Sequence, residues 1–245
     1  MSFFRTLLRA ALCFAWAAFA LSSAFAQEAQ IRKNLGERMP SFPKIDQVSK
    51  TPFNNLFELR IGKDLFYTDA EGSYLMQGVL FDTKAKLNLT QARLDELNMV
   101  DFASLPLKDA IVWKQGSGAR KIAVFTDPNC GYCKRLERDM RAIKDVTIYS
   151  FLIPILGPDS VAKSRNAWCA KDAGKAWVDW MVENKALPPA AASCDSSAID
   201  RNLALAKKHS ITATPASVFE SGKMVLGAVD SAELERLLSG SAIKR

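Results

Sequence analysis

The chain has 245 residues, 49% of them hydrophobic, and carries a formal net charge of +7. This length is enough for two small domains or one large one. The charges are interspersed, and no run of lysine and arginine with interleaved aromatic residues occurs, which argues against nucleic acid as a partner.

Residues 1–26 are typical of a secretory signal peptide. Arg5 and Arg9 flank the start of an apolar run over 10–21, and Ala-Phe-Ala at 24–26 fits a small-x-small cleavage site. The alternative is a membrane anchor, but the run is short for a span and ends in a cleavage site. We therefore predict a cleavable signal peptide and an exported protein.

The residues after this leader predict a small antiparallel domain over 27–89. Ile31 and Leu35 have helical spacing, whereas the next apolar residues alternate with polar ones as in strands. Strands are predicted at Phe57–Ile61, Leu65–Tyr67 and Tyr74–Phe81. Because a domain this small has a marginal core, we expect it to pair with another element or chain, and an exposed strand edge is the ready route.

Residues 90–109 predict a linker helix. Thr90 is placed at its N-cap, which makes the Asn88-Leu89-Thr90 glycosylation sequon coincidental. Leu94 and Leu97 follow at helical spacing among polar residues. A spacer between domains and a helix packed on one domain fit this pattern equally well.

The most informative motif is the C-x-x-C of Cys130 and Cys133. The apolar run Ile122–Phe125 predicts a buried strand before it, and Leu136 and Met140 predict a helix after it. Two cysteines at a strand–helix junction indicate a thioredoxin-like redox motif. Unpaired N–H groups and the positive dipole end of the helix stabilise a thiolate there, so we expect Cys130 to be the nucleophile.

The alternative for this motif is half of a zinc site. Zinc requires two further ligands, but the chain has one histidine, His209, and no second C-x-x-C. We therefore predict no metal and no cofactor. His209 closes a polar helix and is assigned to the surface.

Four cysteines remain after removal of the leader, and they allow three pairings. Export places them in an oxidising compartment, where an even number indicates disulfides. Pairing within the C-x-x-C leaves Cys169 with Cys194, which we predict to form a structural disulfide. Loop closure of this size contributes about 3.5 kcal/mol.

The region 110–245 predicts the order strand, strand, helix, strand, helices, strand, strand, helix. This is a thioredoxin-like α/β domain with a helical insertion at about 157–210, whose tryptophans we assign to the core rather than to a binding surface. The fold class of the whole chain is therefore α+β, with an N-terminal dimerisation domain at 27–89, a linker helix at 90–109 and this C-terminal domain.

Thr214-Pro215 precedes one of the late strands. A proline at the head of a central strand is unfavourable, and a cis bond in a tight turn explains it better than a trans bond at a strand start. In thioredoxin-like folds, which this region resembles, a cis-proline at this point lies against the C-x-x-C and exposes backbone groups that can pair with a substrate strand, and we expect the same here. Asp127 and Glu137 are candidates for proton handling near Cys133, but both are expected to face solvent.

These segments together resemble the DsbC-type protein disulfide isomerases. The resemblance covers nearly the whole exported chain and rests on five motifs: Phe-Thr-Asp-x-x-Cys-Gly-Tyr-Cys at 125–133, Trp-Cys-Ala-Lys-Asp at 168–172, Ala-Ala-Ser-Cys-Asp at 191–195, Thr-Pro-Ala at 214–216, and Tyr-Thr-Asp at 67–69 with Gln-Gly at 77–78. Gly131 argues against the sister DsbG group, which usually has proline there. Pro128-Asn129 and Lys134 depart from the family pattern.

The resemblance implies a periplasmic homodimer with two redox domains facing an uncharged cleft. Cys130 and Cys133 would be catalytic, Gly131, Tyr132, Thr214 and Pro215 would contact substrate, and a membrane reductase of the DsbD type would keep the C-x-x-C reduced. The expected activity is rearrangement or reduction of wrong disulfides in misfolded exported proteins. A non-redox chaperone and a dithiol oxidase are the competing hypotheses.

Overall fold

The computed structural model describes residues 26–240. These residues form two compact units, and the boundary between them along the chain falls between Leu97 and Asn98. The signal-peptide prediction, apart from Ala26, lies outside the described residues. Among residues 26–240, no helix combines the length and the apolar character needed to cross a membrane.

The first unit packs one helix on a four-stranded antiparallel sheet. Helix α1 runs through 26–38, and the strands follow in spatial order β1 (Gln47–Lys50), β2 (Leu56–Ile61), β3 (Asp64–Asp69) and β4 (Leu75–Met76). Ile31 and Leu35 of α1 are buried with Phe57 and Leu59 of β2. The helical spacing and the strand alternation predicted from the sequence are therefore confirmed. Strand β1 was not predicted, because its residues show no alternation of apolar side chains.

The third predicted strand, at 74–81, is wrong in extent. Only Leu75–Met76 pairs with β3, and the chain then leaves the sheet to form a separate two-stranded ribbon, β5 (Phe81–Asp82) with β6 (Leu87–Asn88). The physical reason is competition for backbone hydrogen bonds. The Leu80 N–H donates to Thr90 Oγ1 at 2.8 Å, and the Leu80 carbonyl accepts from Leu89 N–H at 2.9 Å.

Helix α2 (Leu89–Leu97) belongs to the first unit rather than to a free spacer. Thr90 is buried inside the helix and bonds to the Tyr67 hydroxyl at 2.5 Å, while Arg93 pairs with Glu58 at 3.1 Å. Thr90 is therefore not the N-cap; Asn88 Oδ1 accepts from Gln91 N–H instead, at 2.9 Å. Residues 98–109 contain two short 3-10 helices, Phe102–Ser104 and Leu107–Asp109, where a continuation of the linker helix was predicted.

The second unit is built on a five-stranded sheet of order β11-β10-β8-β9-β7. Only β8 and β9 are parallel; the other neighbours are antiparallel. The element sequence matches the prediction: β7 (Ile111–Gln115), β8 (Arg120–Thr126), α3 (Gly131–Met140), β9 (Val146–Leu152), α4 (Pro158–Trp168), α5 (Ala173–Glu183), α6 (Ser197–Lys208), β10 (Ala216–Phe219), β11 (Met224–Leu226) and α7 (Ser231–Leu238).

Strand β8 is the centre of this unit and is buried on both faces. Ile122 and Val124 pack on the side of α3, while Ala123 and Phe125 pack on the opposite side, where Phe125 stacks on Phe151 with ring centroids 5.1 Å apart. A strand covered on both faces has a continuous apolar run, as the sequence shows here. The carboxyl end of this rigid strand leads directly into the C-x-x-C.

Candidate active site at the C-x-x-C

Cys130 is the N-cap residue of α3. Its Sγ accepts a hydrogen bond from the Cys133 N–H at 3.3 Å. At most helix N-caps a side-chain oxygen accepts the corresponding hydrogen bond from an otherwise unpaired N–H of the first turn. A sulfur there lies at the positive end of the helix dipole.

Cys133 lies one turn into α3 and is the less accessible of the two free thiols. It is 1% exposed, whereas Cys130 is 6% exposed. Burial, followed by its interaction with the Cys130 side chain, raises the pKa of the Cys133 thiol to about 12. Cys133 is therefore a protonated thiol at neutral pH while both cysteines are reduced.

The predicted substrate-contact residues are those directly after Cys130 in the chain and those of the 214–215 turn. The Thr214–Pro215 bond is cis, as predicted, and the Thr214 carbonyl lies 3.4 Å from the Cys130 Sγ. The Tyr132 side chain is 67% exposed, and Gly131 is also exposed, with open space where a Cβ would lie. The Thr214 carbonyl thus borders Cys130, and Tyr132, two residues further along the chain, is exposed.

Cys169 and Cys194 form a disulfide with Cα atoms 6.1 Å apart. The bond joins the end of α4 to the loop before α6. Next to it, Arg165 donates to the Ala191 and Ala192 carbonyls, and Trp168 Nε1 donates to the Asp195 carbonyl at 3.0 Å. The disulfide therefore joins two segments of the helical insertion.

Known proteins match both units. Residues 22–91 match the family described as the disulfide bond isomerase protein N-terminal domain, and residues 107–241 match the thioredoxin-like domain. A probable thiol:disulfide interchange protein DsbC of Bordetella pertussis is 42% identical over 208 residues, which cover 85% of this chain and 73% of that protein. The chain belongs to the DsbC family.

Two further relatives support this assignment. The thiol:disulfide interchange protein DsbC of Escherichia coli K12 is 30% identical, with 80% of this chain and 81% of that protein covered. The crystal structure of a disulfide interchange protein from Neisseria gonorrhoeae is 37% identical with a TM-score of 0.52, covering 56% of this chain and 97% of that one. This DsbC-family chain is accordingly an enzyme of thiol:disulfide interchange, and the resemblance stated from its motifs is confirmed.

Asp127 corrects a prediction made from the sequence. It was expected to face solvent but is fully buried, and it accepts hydrogen bonds from Asn129 N–H, Leu156 N–H and Ser160 Oγ at 2.8, 3.0 and 2.7 Å. These three donors satisfy the carboxylate inside the protein. Asp127 thereby ties the turn before Cys130 to the start of α4.

Glu137 was also expected at the surface and is instead 1% exposed. Trp177 Nε1 donates to its Oε1 at 2.6 Å, while Oε2 is buried and has no hydrogen-bond partner. Burial raises the pKa of the Glu137 carboxyl to about 7, against a smaller lowering by the neighbouring Trp177, Trp113 and Ser150 side chains. Sequence periodicity offered one signal: Glu137 lies four residues after Cys133, on the face of α3 that is buried.

The third feature that the sequence did not indicate is the surroundings of Trp180. Its indole N–H donates to the Pro128 carbonyl at 2.7 Å, and Lys134 Nζ and Lys163 Nζ lie over its ring, 4.2 and 4.5 Å from the centroid. Lys163 also donates to Asn129 Oδ1 at 2.9 Å. Burial, with the charges of Lys163 and Arg138, lowers the pKa of Lys134. Both departures from the family pattern, Pro128-Asn129 and Lys134, thus contact one tryptophan beside Cys130.

His209 lies at the end of α6 and is half-buried. Within residues 26–240, no group of three or more histidine, cysteine, aspartate or glutamate side chains is arranged to hold a metal ion.

Proposed function

We propose that this chain rearranges or reduces wrong disulfides of exported proteins in the periplasm, through a mixed disulfide on Cys130. The observation that carries the proposal is the hydrogen bond from the Cys133 N–H to the Cys130 Sγ at a helix N-terminus. This hydrogen bond places the Cys130 sulfur at the start of a helix, and a cysteine attacks a disulfide through its sulfur.

The first step is attack of the Cys130 thiolate on one sulfur of a substrate disulfide. A bond forms between Cys130 Sγ and that sulfur, the substrate disulfide breaks, and the other substrate sulfur leaves with the electron pair as a thiolate. The Thr214 carbonyl borders Cys130, and Gly131 and Tyr132 are exposed directly after it in the chain, so we assign Gly131, Tyr132, Thr214 and Pro215 to contact with the incoming chain.

Two exits follow from the mixed disulfide. A substrate thiolate can attack the substrate sulfur of the mixed disulfide, which releases a rearranged protein and restores the Cys130 thiolate without net oxidation. Alternatively, Cys133 attacks the Cys130 Sγ, so that the substrate leaves reduced and the C-x-x-C becomes a disulfide. The second exit requires a reductant, for which we propose a membrane thiol reductase of the DsbD type.

The first unit supports the proposal of a homodimer. Strand β4 is an edge strand of only two residues, and the chain around it exposes large apolar side chains: Tyr74 is 75% exposed, Val79 69%, and Met76 and Phe81 each 52%. An apolar surface next to an open sheet edge is typical of an association site. We therefore propose that 27–89 forms the dimer, and that Cys169–Cys194 has a purely structural role.

The proposal is tested with the variants Cys130→Ala and Cys133→Ala. Cys133→Ala should accumulate mixed disulfides with exported proteins, seen as adducts on non-reducing gels, and Cys130→Ala should not. The reactivation of a protein with scrambled disulfides should be lost in Cys130→Ala. Activity that survives in Cys130→Ala would instead support the non-redox chaperone, and a C-x-x-C that is mostly oxidised in the cell would support the oxidase.

A further inference from the structure

Glu137 and Cys133 share the buried face of α3. The buried side chains of this helix are Cys133, Leu136, Glu137 and Met140, so the thiol and the carboxyl are one helical turn apart. Side chains at this spacing have Cβ atoms about 5–6 Å apart and lie on the same side of a helix. The partner of the carboxyl, Trp177, belongs to the same buried cluster as Cys130 and Cys133.

The carboxyl of Glu137 differs from the other buried carboxyls of its unit. Asp109 is paired with Arg201, and Asp127 accepts three hydrogen bonds. Glu137 has one hydrogen bond, from the neutral donor Trp177, and its Oε2 has none. A buried carboxylate without a cation is costly, so this side chain can take up a proton readily.

No charged side chain compensates Glu137 from the described elements around it. The side chains that lower its pKa are neutral and come from three elements, Trp177 of α5, Trp113 of β7 and Ser150 of β9. Most charged side chains of these and neighbouring elements form ion pairs with one another: Lys175 with Asp179, Glu233 with Arg236, Arg120 with Glu235, Lys121 with Glu220, and Arg135 with Asp139. Lys134 donates a hydrogen bond to Asn184, and Lys114 and Arg138 are exposed.

We infer that Glu137 accepts the proton of Cys133 when Cys133 resolves the mixed disulfide, an inference that rests on the proposed thiol exchange at Cys130. The S–H proton passes to Glu137 Oε2, and the sulfur attacks the Cys130 Sγ. The Cys130–Cys133 bond forms, the bond between Cys130 and the substrate sulfur breaks, and the substrate leaves as a thiolate. Substrate is reduced, the C-x-x-C is oxidised, and Glu137 is left neutral.

The ionisation of the two groups fits this order of events. The pKa of Glu137, about 7, lies where a proton acceptor works best at neutral pH. The pKa of Cys133 is raised partly by the Cys130 side chain. That contribution disappears once Cys130 is bonded to substrate, so the proton of Cys133 becomes easier to remove when removal is needed.

The test is a single-turnover reaction of the reduced, full-length protein with an aromatic disulfide whose released thiol is coloured. The first coloured thiol reports attack by Cys130, and the second reports resolution by Cys133. Between about pH 5 and pH 9, the second phase of the unmodified protein should rise with an inflection near the pKa of Glu137, about 7. Glu137→Gln should slow the second phase by about 100-fold at neutral pH and remove the inflection, with the first phase unchanged.

The matched control is Asp139→Asn, which removes the same charge two residues later on α3, where Asp139 lies 3.8 Å from Arg135. Both phases of this variant should match those of the unmodified protein. A second phase of Glu137→Gln with unaltered rate and pH profile would overturn the inference, as would equal slowing of both phases. The pH dependence of the second-phase rate in the unmodified protein is a test that does not depend on how the variant folds. A second phase without the inflection overturns the inference. Absence of the first phase would overturn the proposed function itself.

Discussion

The Cys133 N–H donates to the Cys130 Sγ, so the two halves of the C-x-x-C are connected by a hydrogen bond of 3.3 Å before any disulfide forms. The same geometry separates their roles. One sulfur occupies the N-cap position and receives the helix N–H, and the other lies a turn deeper in the core. Their chemical behaviour should differ accordingly.

The first prediction is that iodoacetamide labels Cys130 before Cys133. Cys130 is the more accessible residue and lies at the start of α3, whereas the raised pKa of Cys133, about 12, keeps the Cys133 thiol protonated. Mass spectrometry of peptides after brief alkylation at mildly acidic pH measures the order. Denatured protein is the control, and its two cysteines should react at similar rates. Earlier labelling of Cys133 in the folded protein would contradict the assigned roles.

The second prediction concerns the Cys169–Cys194 disulfide. Replacing both cysteines with alanine should lower the free energy of unfolding of the second unit by about 3 kcal/mol, since the loop they close is no longer constrained in the unfolded chain. Four of the five tryptophans, Trp113, Trp168, Trp177 and Trp180, lie in this unit, so their fluorescence during urea unfolding reports on it.

The rate of Cys130 alkylation in the folded double variant should stay unchanged, because the disulfide lies in the helical insertion and not at the C-x-x-C. Loss of Cys130 reactivity with unaltered stability would show that the disulfide belongs to the catalytic machinery.

The third prediction is that the apolar surface beside β4 forms the dimer. Replacing Tyr74 and Val79 with aspartate in the full-length protein should raise the dissociation constant at least tenfold, which corresponds to about 1.4 kcal/mol. Sedimentation velocity at several protein concentrations measures it. Leu226→Asp is the control, because this side chain is 62% exposed in the second unit. Weakening by the control alone would place the interface outside 27–89.

The sequence was most informative where periodicity and local chemistry agree. The strand β8, the helix α3, the cis bond at Thr214–Pro215 and the family itself follow from short patterns. Strand β1 and the ribbon of β5 and β6 could not be predicted, because hydrogen bonds between distant residues decide them, such as Leu80 N–H to Thr90 Oγ1.

The environments of individual side chains were the second feature that could not be predicted from the sequence. Glu137 was placed in solvent because charged residues are seldom buried, yet it lies in the core with Trp177, forty positions away along the chain. Likewise, nothing in the local sequence indicates that Lys134 and Lys163 both contact the Trp180 ring. Such contacts depend on how helices from the insertion pack around α3, which periodicity does not specify.

The last prediction follows from the raised pKa of Glu137 and concerns stability rather than turnover. The carboxyl has a pKa of about 7 in the folded protein and 4.5 as an ordinary glutamate, so between these values the folded state binds more protons than the unfolded state. Unfolding free energy therefore falls as pH rises from about 4.5 to about 7 and levels off above that range. The full effect is about 3 kcal/mol, from about 1.4 kcal/mol for each pH unit.

Glu137→Gln cannot ionise and should lack this dependence, while its side-chain oxygen can still accept from Trp177. Tryptophan fluorescence during urea unfolding, at steps between about pH 4.5 and pH 8, gives the difference between the two proteins. The difference is needed because carboxylates with lowered pKa values, such as Asp109 beside Arg201, act in the opposite sense and lose their stabilising effect as pH falls. Relative to Glu137→Gln, the unmodified protein should lose stability steadily up to pH 7. A difference that does not change with pH would mean that the pKa of Glu137 is the same in the folded and the unfolded protein, and it would remove the basis for a proton acceptor on this face of α3.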